Sequence, residues 1–452
     1  MYPNLYIKAY SNREVSFRYR DRDYIFALSH GLFSSADIDS GSRFLLKVFS
    51  KRLDEDIKAG KNLPLNILDS GCGTGVLGIC AAGALADLAV KLKDRLPAAG
   101  QIKVRSQDRD ELARIFTEYN ARQNNLGPKT LTAFTEPLLA GLPENTGQGW
   151  DLILTNIPAK AGNTVLADFV RRSLYMLNPG GRVFMVAVNP LADFFKKLIT
   201  ETGANLIHEE TGTGHTVFVY GPDKSIAITQ PVSEEGDFFA IHPEYLRTSG
   251  EYVIEDIKYH LDAVHGAADF DNPGNEIQAA AKLLVKLLPD IVNSSSVMIY
   301  EGGPGHFPAW FIQHVKGKLN NLTLCGRNIL ALEASMHNSL AAFKAFRINQ
   351  PLVRIIPTAD MALDINRLKP DPKEAAAYSM IALFPETVPM TDRLEAMWEG
   401  LTTLLAQDGL VIISLPSTEA DRFDRKKLPG FIRLGSIKRN GYRALAYIRK
   451  TE

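Results

Sequence analysis

The stretch Leu65-Asn66-Ile67-Leu68-Asp69-Ser70-Gly71-Cys72-Gly73-Thr74-Gly75-Val76-Leu77-Gly78 decides how the rest of the chain is read. An apolar run closes on an acidic residue, glycines follow at alternate positions, and an apolar segment begins at once, which is the pattern of strand, tight loop and helix. Glycine is needed where a ligand approaches the backbone closely and where the loop takes dihedrals that a Cβ resists. Gly73, Gly75 and Gly78 fit the spacing of a dinucleotide loop, in which a pyrophosphate sits on the helix N-terminus. The full string, with Asp69 ahead of Gly71, Gly73 and Gly75, suits the cationic S-adenosyl-L-methionine better, with Asp69 beside its amino-acid end. A purely structural glycine turn is the third reading.

Downstream, residues 76–96 read as a long helix stopped by Pro97, and 103–107 as a strand ending at Asp108. An acid at the end of the second strand is where a Rossmann-type site holds the cofactor ribose, although Asp108 can also cap the next helix. Residues 131–135 form a third strand, with Glu136 a candidate contact to the adenosine. The fourth strand, 150–155, delivers Asn156-Ile157-Pro158-Ala159-Lys160 at its C-terminal end, the edge where open α/β sheets bind ligands. A helix, Pro179-Gly180-Gly181 and the continuous apolar run 183–188 follow, the last suited to a strand buried on both faces. Two short strands, 205–208 and 216–220, close this half.

Upstream, Val15, Phe17 and Tyr19 alternate with polar residues, and 24–28 is apolar again, which predicts a hairpin. Arg18, Tyr19, Arg20 and Arg22 interleave charge and an aromatic ring, as single-strand binding surfaces do, or else form a solvated hairpin face. The segment His30-Gly31-Leu32-Phe33-Ser34-Ser35-Ala36-Asp37-Ile38-Asp39-Ser40-Gly41 leads into a helix with Phe44, Leu45, Val48, Phe49 and Leu53 on one face. Asp39 or Ser40 can cap that helix and Gly60 can end it.

At 452 residues the chain is long for one core. Lys plus Arg and Asp plus Glu each total 51, so no whole-chain field draws it to nucleic acid or an anionic membrane. RNA binding would need a local patch. Arg425, Lys426, Lys427, Arg433, Lys438, Arg439 and Arg443 are candidates, with an ordinary solvated surface as the alternative. The three cysteines show neither metal spacing nor a paired framework, which indicates a reducing compartment and no metal site. No run approaches membrane-spanning length, so the expected location is the cytoplasm, with no membrane partner.

The pattern recurs. Ala36-Asp37-Ile38-Asp39 has a counterpart in Ala268-Asp269-Phe270-Asp271, and the Asp69 loop in Glu301-Gly302-Gly303-Pro304-Gly305-His306-Phe307, both at an offset of 232 (268 − 36 = 301 − 69). Asn156 aligns with Phe384 at an offset of 228. This register places Phe307 at Gly75 and Arg327 at Asp108, so the second copy reads as degenerate. The expected fold is α/β: two tandem Rossmann-like, doubly wound domains, residues 1–222 and 236–452, joined by a linker at 223–235.

Gly31-Leu32-Phe33-Ser34-Ser35 through Asp39-Ser40-Gly41, the Asp69 loop, Asp108, the Asn-x-Pro of residues 156–158 and Pro179-Gly180-Gly181 together resemble the methyltransferase small domain family, a class I group. Within it the nearest likeness is to the ribosomal RNA small-subunit guanine methyltransferases, which also carry two tandem Rossmann-like domains. The resemblance implies that Asp69, Gly71, Gly73, Gly75, Asp108 and Glu136 hold S-adenosyl-L-methionine. It implies that Asn156, the Ile157 carbonyl and Pro158 hold an exocyclic amine, without a strong base. RNA, ribosomal above all, is the implied substrate.

Two departures stand out. In those relatives the degenerate copy comes first, whereas here it is second. The family motif after the fourth strand is Asn-Pro-Pro-aromatic, and Ala159 stands where a ring would stack on a base, a contact worth roughly 1–3 kcal/mol. A small-molecule or protein acceptor, and a non-catalytic protein that binds cofactor or RNA, are therefore the rival readings.

Overall fold

The computed structural model describes residues 3–92, 102–142, 149–223, 237–269, 271–287, 295–314, 319–370 and 377–450. The chain divides into two compact units, Met1–Glu234 and Glu235–Glu452. The expected linker falls mostly outside the described residues, as does the end of the helix expected at 76–96.

Unit 1 opens with helix α1 (Pro3–Tyr10) and the hairpin β1 (Arg13–Tyr19) and β2 (Arg22–Leu28), then α2 (Ser40–Lys58). The glycine loop lies between β3 (Asn66–Ser70) and α3 (Val76–Lys91). The elements β4 (Lys103–Asp108), α4 (Glu111–Gln123), β5 (Leu131–Thr135), β6 (Trp150–Asn156), α5 (Asn163–Tyr175), β7 (Leu177–Val188), α6 (Ala192–Glu201), β8 (Asn205–Thr211) and β9 (His215–Gly221) complete it. The sheet order is β5-β4-β3-β6-β7-β9-β8. The first five strands run parallel, while β9 is antiparallel to both β7 and β8. The order reverses beside β3, so the C-terminal ends of β3 and β6 flank the crevice in which such sheets bind ligands.

Helix α3 is buried along most of its length, from Val76 to Leu85 without interruption. Its nearly all-apolar sequence follows from cover on two sides, by the sheet and by the hairpin. Tyr24 of β2 donates to the Cys80 carbonyl at 3.4 Å, and a side chain at Gly83 would collide with the Tyr24 ring. Hairpin and helix share one core in which Val15, Phe17, Tyr24 and Phe26 meet Leu77, Ile79 and Leu85. The hairpin is therefore a structural cover. Tyr19 is buried with its hydroxyl on the Leu46 carbonyl at 3.1 Å, Arg20 pairs with Asp54 at 2.7 Å, and Arg18 pairs with Asp23 at 3.0 Å. These residues are committed within the hairpin and to α2, and the buried Tyr19 ring offers no exposed face to a base.

Unit 2 comprises α7 (Phe238–Ile241), β10 (Leu246–Ile254), β11 (Ile257–Val264), α8 (Asn275–Leu287), β12 (Ser296–Tyr300), α9 (His306–Ile312), β13 (Asn321–Gly326) and α10 (Ile329–Ala345). It continues through β14 (Leu352–Pro357), α11 (Ile365–Leu368), β15 (Tyr378–Leu383), α12 (Leu394–Leu404), β16 (Leu405–Pro416), α13 (Ser417–Arg425), β17 (Phe431–Arg439) and β18 (Tyr442–Arg449). Its sheet order, β14-β13-β12-β15-β16-β18-β17, reproduces unit 1 strand for strand. The duplication is thus a repeat of the whole fold.

The strand register corrects the alignment at the loop. Ser70 pairs with Gln107 at the end of β3 and Tyr300 with Cys325 at the end of β12, an offset of 230 (300 − 70) rather than 232. Gly71 donates to the Gln107 carbonyl as Glu301 donates to that of Cys325, and left-handed Gly75 and Gly305 precede α3 and α9. Glu301 therefore stands at Gly71, Ile299 at Asp69, and Gly305, not Phe307, at Gly75. The ends of β4 and β13 likewise place Gly326, not Arg327, at Asp108. The spaced glycines of the two loops match at either offset, and only the ladder distinguishes them.

Three of the seven basic residues near the C-terminus are paired with carboxylates. Arg443 pairs with Asp421, Arg433 with Asp424 at 2.6 Å and Lys426 with Asp392 at 2.9 Å. No helix among the described residues is long and apolar enough to cross a membrane.

Candidate active site

Three glycines of unit 1 turn through left-handed dihedrals between β3 and α3, with φ of 73° at Gly71, 55° at Gly73 and 86° at Gly75. Gly75 is a packing glycine: a Cβ there would lie 2.9 Å from Ile79 and 3.0 Å from Thr117. Gly71 and Gly73 differ from it. A Cβ at Gly73 would meet nothing within 4 Å, and one at Gly71 only Leu138 at 3.8 Å. Those two positions border open space, a cradle that side chains would fill.

The loop is held from below and from both sides. The Gln107 carbonyl accepts from the backbone N–H of Gly71 at 2.9 Å and of Cys72 at 3.0 Å. Thr117 donates to the Gly73 carbonyl at 3.1 Å and Asn120 to the Thr74 carbonyl at 2.9 Å. Asp108 accepts from Gly73 N–H at 3.0 Å through Oδ2 and from Asp110 N–H at 3.0 Å through Oδ1. Each of its oxygens retains a further lone pair. Burial, reinforced by Asp110, holds its carboxyl above the ordinary carboxylate range.

Asp69 departs from its expected place. Its residue is 0% exposed, and its carboxylate lies beneath the loop, where Oδ2 accepts from Gly78 N–H at 2.9 Å and Oδ1 has no partner. Desolvation pushes its pKa up to about 7. The acid that closes β3 fixes the start of α3 and does not reach the open side of the loop. Glu136 also turns aside: its carboxylate folds against Gly141, and its N–H donates to the Asp108 carbonyl at 2.8 Å. Leu138, left-handed at φ 43°, is the side chain nearest the Gly71 cradle, and the Gln107 amide anchors the turn behind it through the Leu138 and Ala140 carbonyls.

Asn156 ends β6 at the same edge of the sheet. Its amide Nδ2 donates to Asp39 Oδ2 at 2.7 Å and to Ser42 Oγ at 3.2 Å. A carboxylate oxygen only accepts, so the nitrogen must face Asp39 and Asn156 Oδ1 is left to accept elsewhere. The following turn is closed by Ala161 N–H on the Pro158 carbonyl at 3.0 Å, and Ile157 N–H donates to Val186 at 3.1 Å. The turn thus does not consume the Ile157 carbonyl. Ala159 is exposed and offers no ring. Cys72, Cys80 and Cys325 are buried with their thiols pushed well above the ordinary range, which excludes a thiolate nucleophile among them. Among the described residues no cluster of His, Cys, Asp and Glu can hold a metal ion.

Sequence reasoning missed Gln107, Thr117 and Asn120. The only sequence signal was the polar Thr117 and Asn120 beside the apolar Phe116 and Tyr119 on the helix that follows a candidate cofactor strand; that they are fully buried is seen only in the fold.

Comparison with known proteins matches residues 23–203 to the methyltransferase small domain. A Bacillus subtilis protein, uncharacterized protein YbxB, is 30% identical over 177 residues, which are 39% of this chain and 75% of that protein. The chain belongs to the methyltransferase small domain family. Ribosomal RNA large subunit methyltransferase G of Photobacterium profundum is 29% identical over 174 residues, and ribosomal RNA small subunit methyltransferase C of Actinobacillus pleuropneumoniae is 29% identical over 176. The matched segment spans only 39% and 44% of those two proteins. Among solved structures, the T. thermophilus 16S rRNA N2 G1207 methyltransferase, in complex with AdoMet and guanosine, superposes with a TM-score of 0.56 at 13% identity, over 98% of this chain and 100% of that one. That likeness establishes the tandem class I fold along the whole chain.

The methyltransferase small domain enzyme of unit 1 uses S-adenosyl-L-methionine. The residues present fit it: an open cradle at Gly71 and Gly73, an acid with spare lone pairs at the end of β4, and no cation on the loop to oppose a sulfonium. The corresponding positions of unit 2 carry other side chains. The Glu301 carboxylate lies over Gly326 and accepts from Arg327 N–H at 2.8 Å, while Phe384 stands in place of Asn156 with its ring 5.0 Å from that of Phe307.

Proposed function

We propose that unit 1 methylates an exocyclic amine of a nucleobase in RNA, with a guanine-like base of ribosomal RNA as the acceptor. The observation that carries this reading is the Asn156 amide, whose nitrogen is held by Asp39 and whose oxygen is left to accept an N–H at the edge of the sheet that carries the glycine loop. When bound, S-adenosyl-L-methionine supplies an electrophilic methyl group. The chain's own residues supply alignment. Gly71 and Gly73 let the ligand lie against the backbone, Asp108 accepts from its ribose, and Asp69 holds the loop from beneath. Asn156 Oδ1 and the Ile157 carbonyl accept the two amine protons and so direct the nitrogen lone pair at the methyl group. Pro158 stiffens the acceptor turn.

An aligned pair of reactants can lower a barrier by roughly 7–11 kcal/mol at best, and no strong base is required because the nitrogen sheds its proton to water after it has attacked and the thioether has left. The relatives named as ribosomal RNA methyltransferases support RNA over a metabolite, and the cytoplasm is the location consistent with that substrate. The proposed domain limits, 1–222 and 236–452, put this chemistry wholly in the first domain.

The test is transfer of labelled methyl from S-adenosyl-L-methionine to unmodified ribosomal RNA, total RNA and a metabolite extract in parallel. Label in RNA that is lost with Asn156→Ala supports the reading. Label only in the metabolite extract replaces it with a small-molecule acceptor, and cofactor binding with no label anywhere leaves a binding protein.

A further inference from the structure

We infer that Asp39 is a positioning residue that fixes which end of the Asn156 amide faces the acceptor, and so makes the site select a hydrogen-bond donor. The inference rests on the role proposed for Asn156. Asp39 precedes α2 as its N-cap, with Oδ2 accepting from Ser42 N–H at 3.0 Å. The same oxygen accepts from Asn156 Nδ2 at 2.7 Å, 117 residues further along the chain. A cap needs only the first bond.

The second bond has a chemical consequence. A free asparagine amide can rotate to present either its NH2 or its oxygen, and the two ends differ in sign as partners. Held against a carboxylate, the NH2 cannot turn outward without leaving two acceptor oxygens face to face. Charge-assisted N–H bonds are roughly twice as strong as neutral ones, so the lock is firm. The acceptor then meets a fixed carbonyl oxygen, which takes an N–H donor such as an amine and rejects an unprotonated ring nitrogen or a carbonyl at the same position.

The surroundings are built around this contact. Gly41, in the first turn of α2, needs no unusual dihedral, yet a Cβ there would lie 2.9 Å from Asp39 Oδ2 and 3.0 Å from the His215 ring. The His215 ring therefore lies on Gly41 and confines the space around the carboxylate. Ser42 contributes its N–H to Asp39 and its Oγ to Asn156, closing a three-residue cycle. Unit 2 has Phe384 in place of Asn156 and no such cycle among its described residues.

Two substitutions separate capping from positioning. Ser and Asn both cap helices about as well as Asp. Asp39→Asn keeps an oxygen within reach of Ser42 N–H and Asn156 alike, whereas Asp39→Ser keeps the cap but is too short for Asn156. The first readout needs no substrate: in the amide NMR spectrum of the full chain, the Asn156 side-chain NH2, assigned by its loss in Asn156→Ala, is expected to exchange slowly in the wild type and Asp39→Asn and rapidly in Asp39→Ser. The second is turnover on the RNA acceptor. Asp39→Ser is expected to lose on the order of 10²-fold in kcat with cofactor Kd unchanged, and Asp39→Asn to recover most of it. Gly41→Ala, which displaces Asp39 without replacing it, is expected to lose turnover as Asp39→Ser does and is the variant to read if Asp39→Ser melts early.

Equal NH2 exchange in Asp39→Ser and the wild type would overturn the inference, as would equal kcat for Asp39→Ser and Asp39→Asn. If the NH2 is locked by Asp39 but no acceptor takes the methyl group, the proposed function fails and the positioning stands.

Discussion

The two halves of this chain share a backbone and differ in the side chains around the loop. Asn120 of α4 accepts from Ala27 N–H at 2.8 Å and donates to the carbonyls of Ala27 at 3.1 Å and Thr74 at 2.9 Å. Asn338 of α10 accepts from Asp262 N–H at 2.8 Å and donates to the carbonyls of Asp262 at 3.0 Å and Pro304 at 2.9 Å. One buried amide thus ties the hairpin, the following helix and the loop together in each copy. The residues facing the open side of the loop are not retained: Gly71 is matched by Glu301, Asp108 by Gly326 and Asn156 by Phe384. Scaffold and chemistry occupy different layers of the fold, so one can persist while the other is lost.

The sharpest way to break that contrast is to give the first copy the second copy's side chain. Glu301 holds a left-handed conformation, φ 56°, where Gly71 has 73°. Gly71→Glu is therefore expected to fold, at a conformational cost of about 1–2 kcal/mol. It should abolish calorimetric binding of S-adenosyl-L-methionine at concentrations that saturate the wild type at one equivalent per chain. Two equivalents in the wild type would instead show that Glu301 moves aside.

Next in size is Asn156→Ala, expected to cost on the order of 10²-fold in kcat or more with cofactor Kd intact, because it removes alignment and leaves the cradle. The shared scaffold should respond alike in both copies. Asn120→Ala and Asn338→Ala each strand three buried backbone groups, and urea titration should find each destabilised by about 3 kcal/mol.

A smaller effect is expected from Asp69→Asn. Its pKa of about 7 in the folded state lies above the ordinary 3.8, so the native state binds the proton more tightly than the unfolded chain. The buried charge then costs stability progressively as pH rises from about 4 through 7. Asn keeps an acceptor for Gly78 N–H without that charge. The melting temperature of Asp69→Asn relative to wild type should climb over this window and level off above it. The counterpart Ile299 carries no carboxylate, so this position of unit 2 adds nothing to the slope.

The smallest effect is expected in the basic residues near the C-terminus. Arg433→Glu should change RNA affinity by less than about twofold at moderate salt, because that guanidinium is already paired with Asp424.

Much of the fold was legible. The β3 to α3 transition, the hairpin, the cap at Asp39 and the duplication followed from alternation, glycine spacing and a polar residue before an apolar face, all of which are local. The placements of Gly71 and Gly73 in a tight left-handed turn were legible for the same reason. Those of Asp69 and Glu136 were not, because residue type does not report which side of a loop a carboxylate occupies.

By itself, the sequence determined a doubled α/β chain, the loop for a cationic nucleotide cofactor, and the place of Asn156 at the C-terminal end of the fourth strand. Only the tertiary structure decided three further matters. It put the Asp69 carboxylate beneath the loop, it set the register at 230, so that Glu301 and not Phe307 closes the second cradle, and it joined Asp39 to Asn156. The last two depend on a ladder or hydrogen bond between segments far apart in the chain and the first on which side of its loop a carboxylate falls, whereas periodicity carries information only along one element at a time.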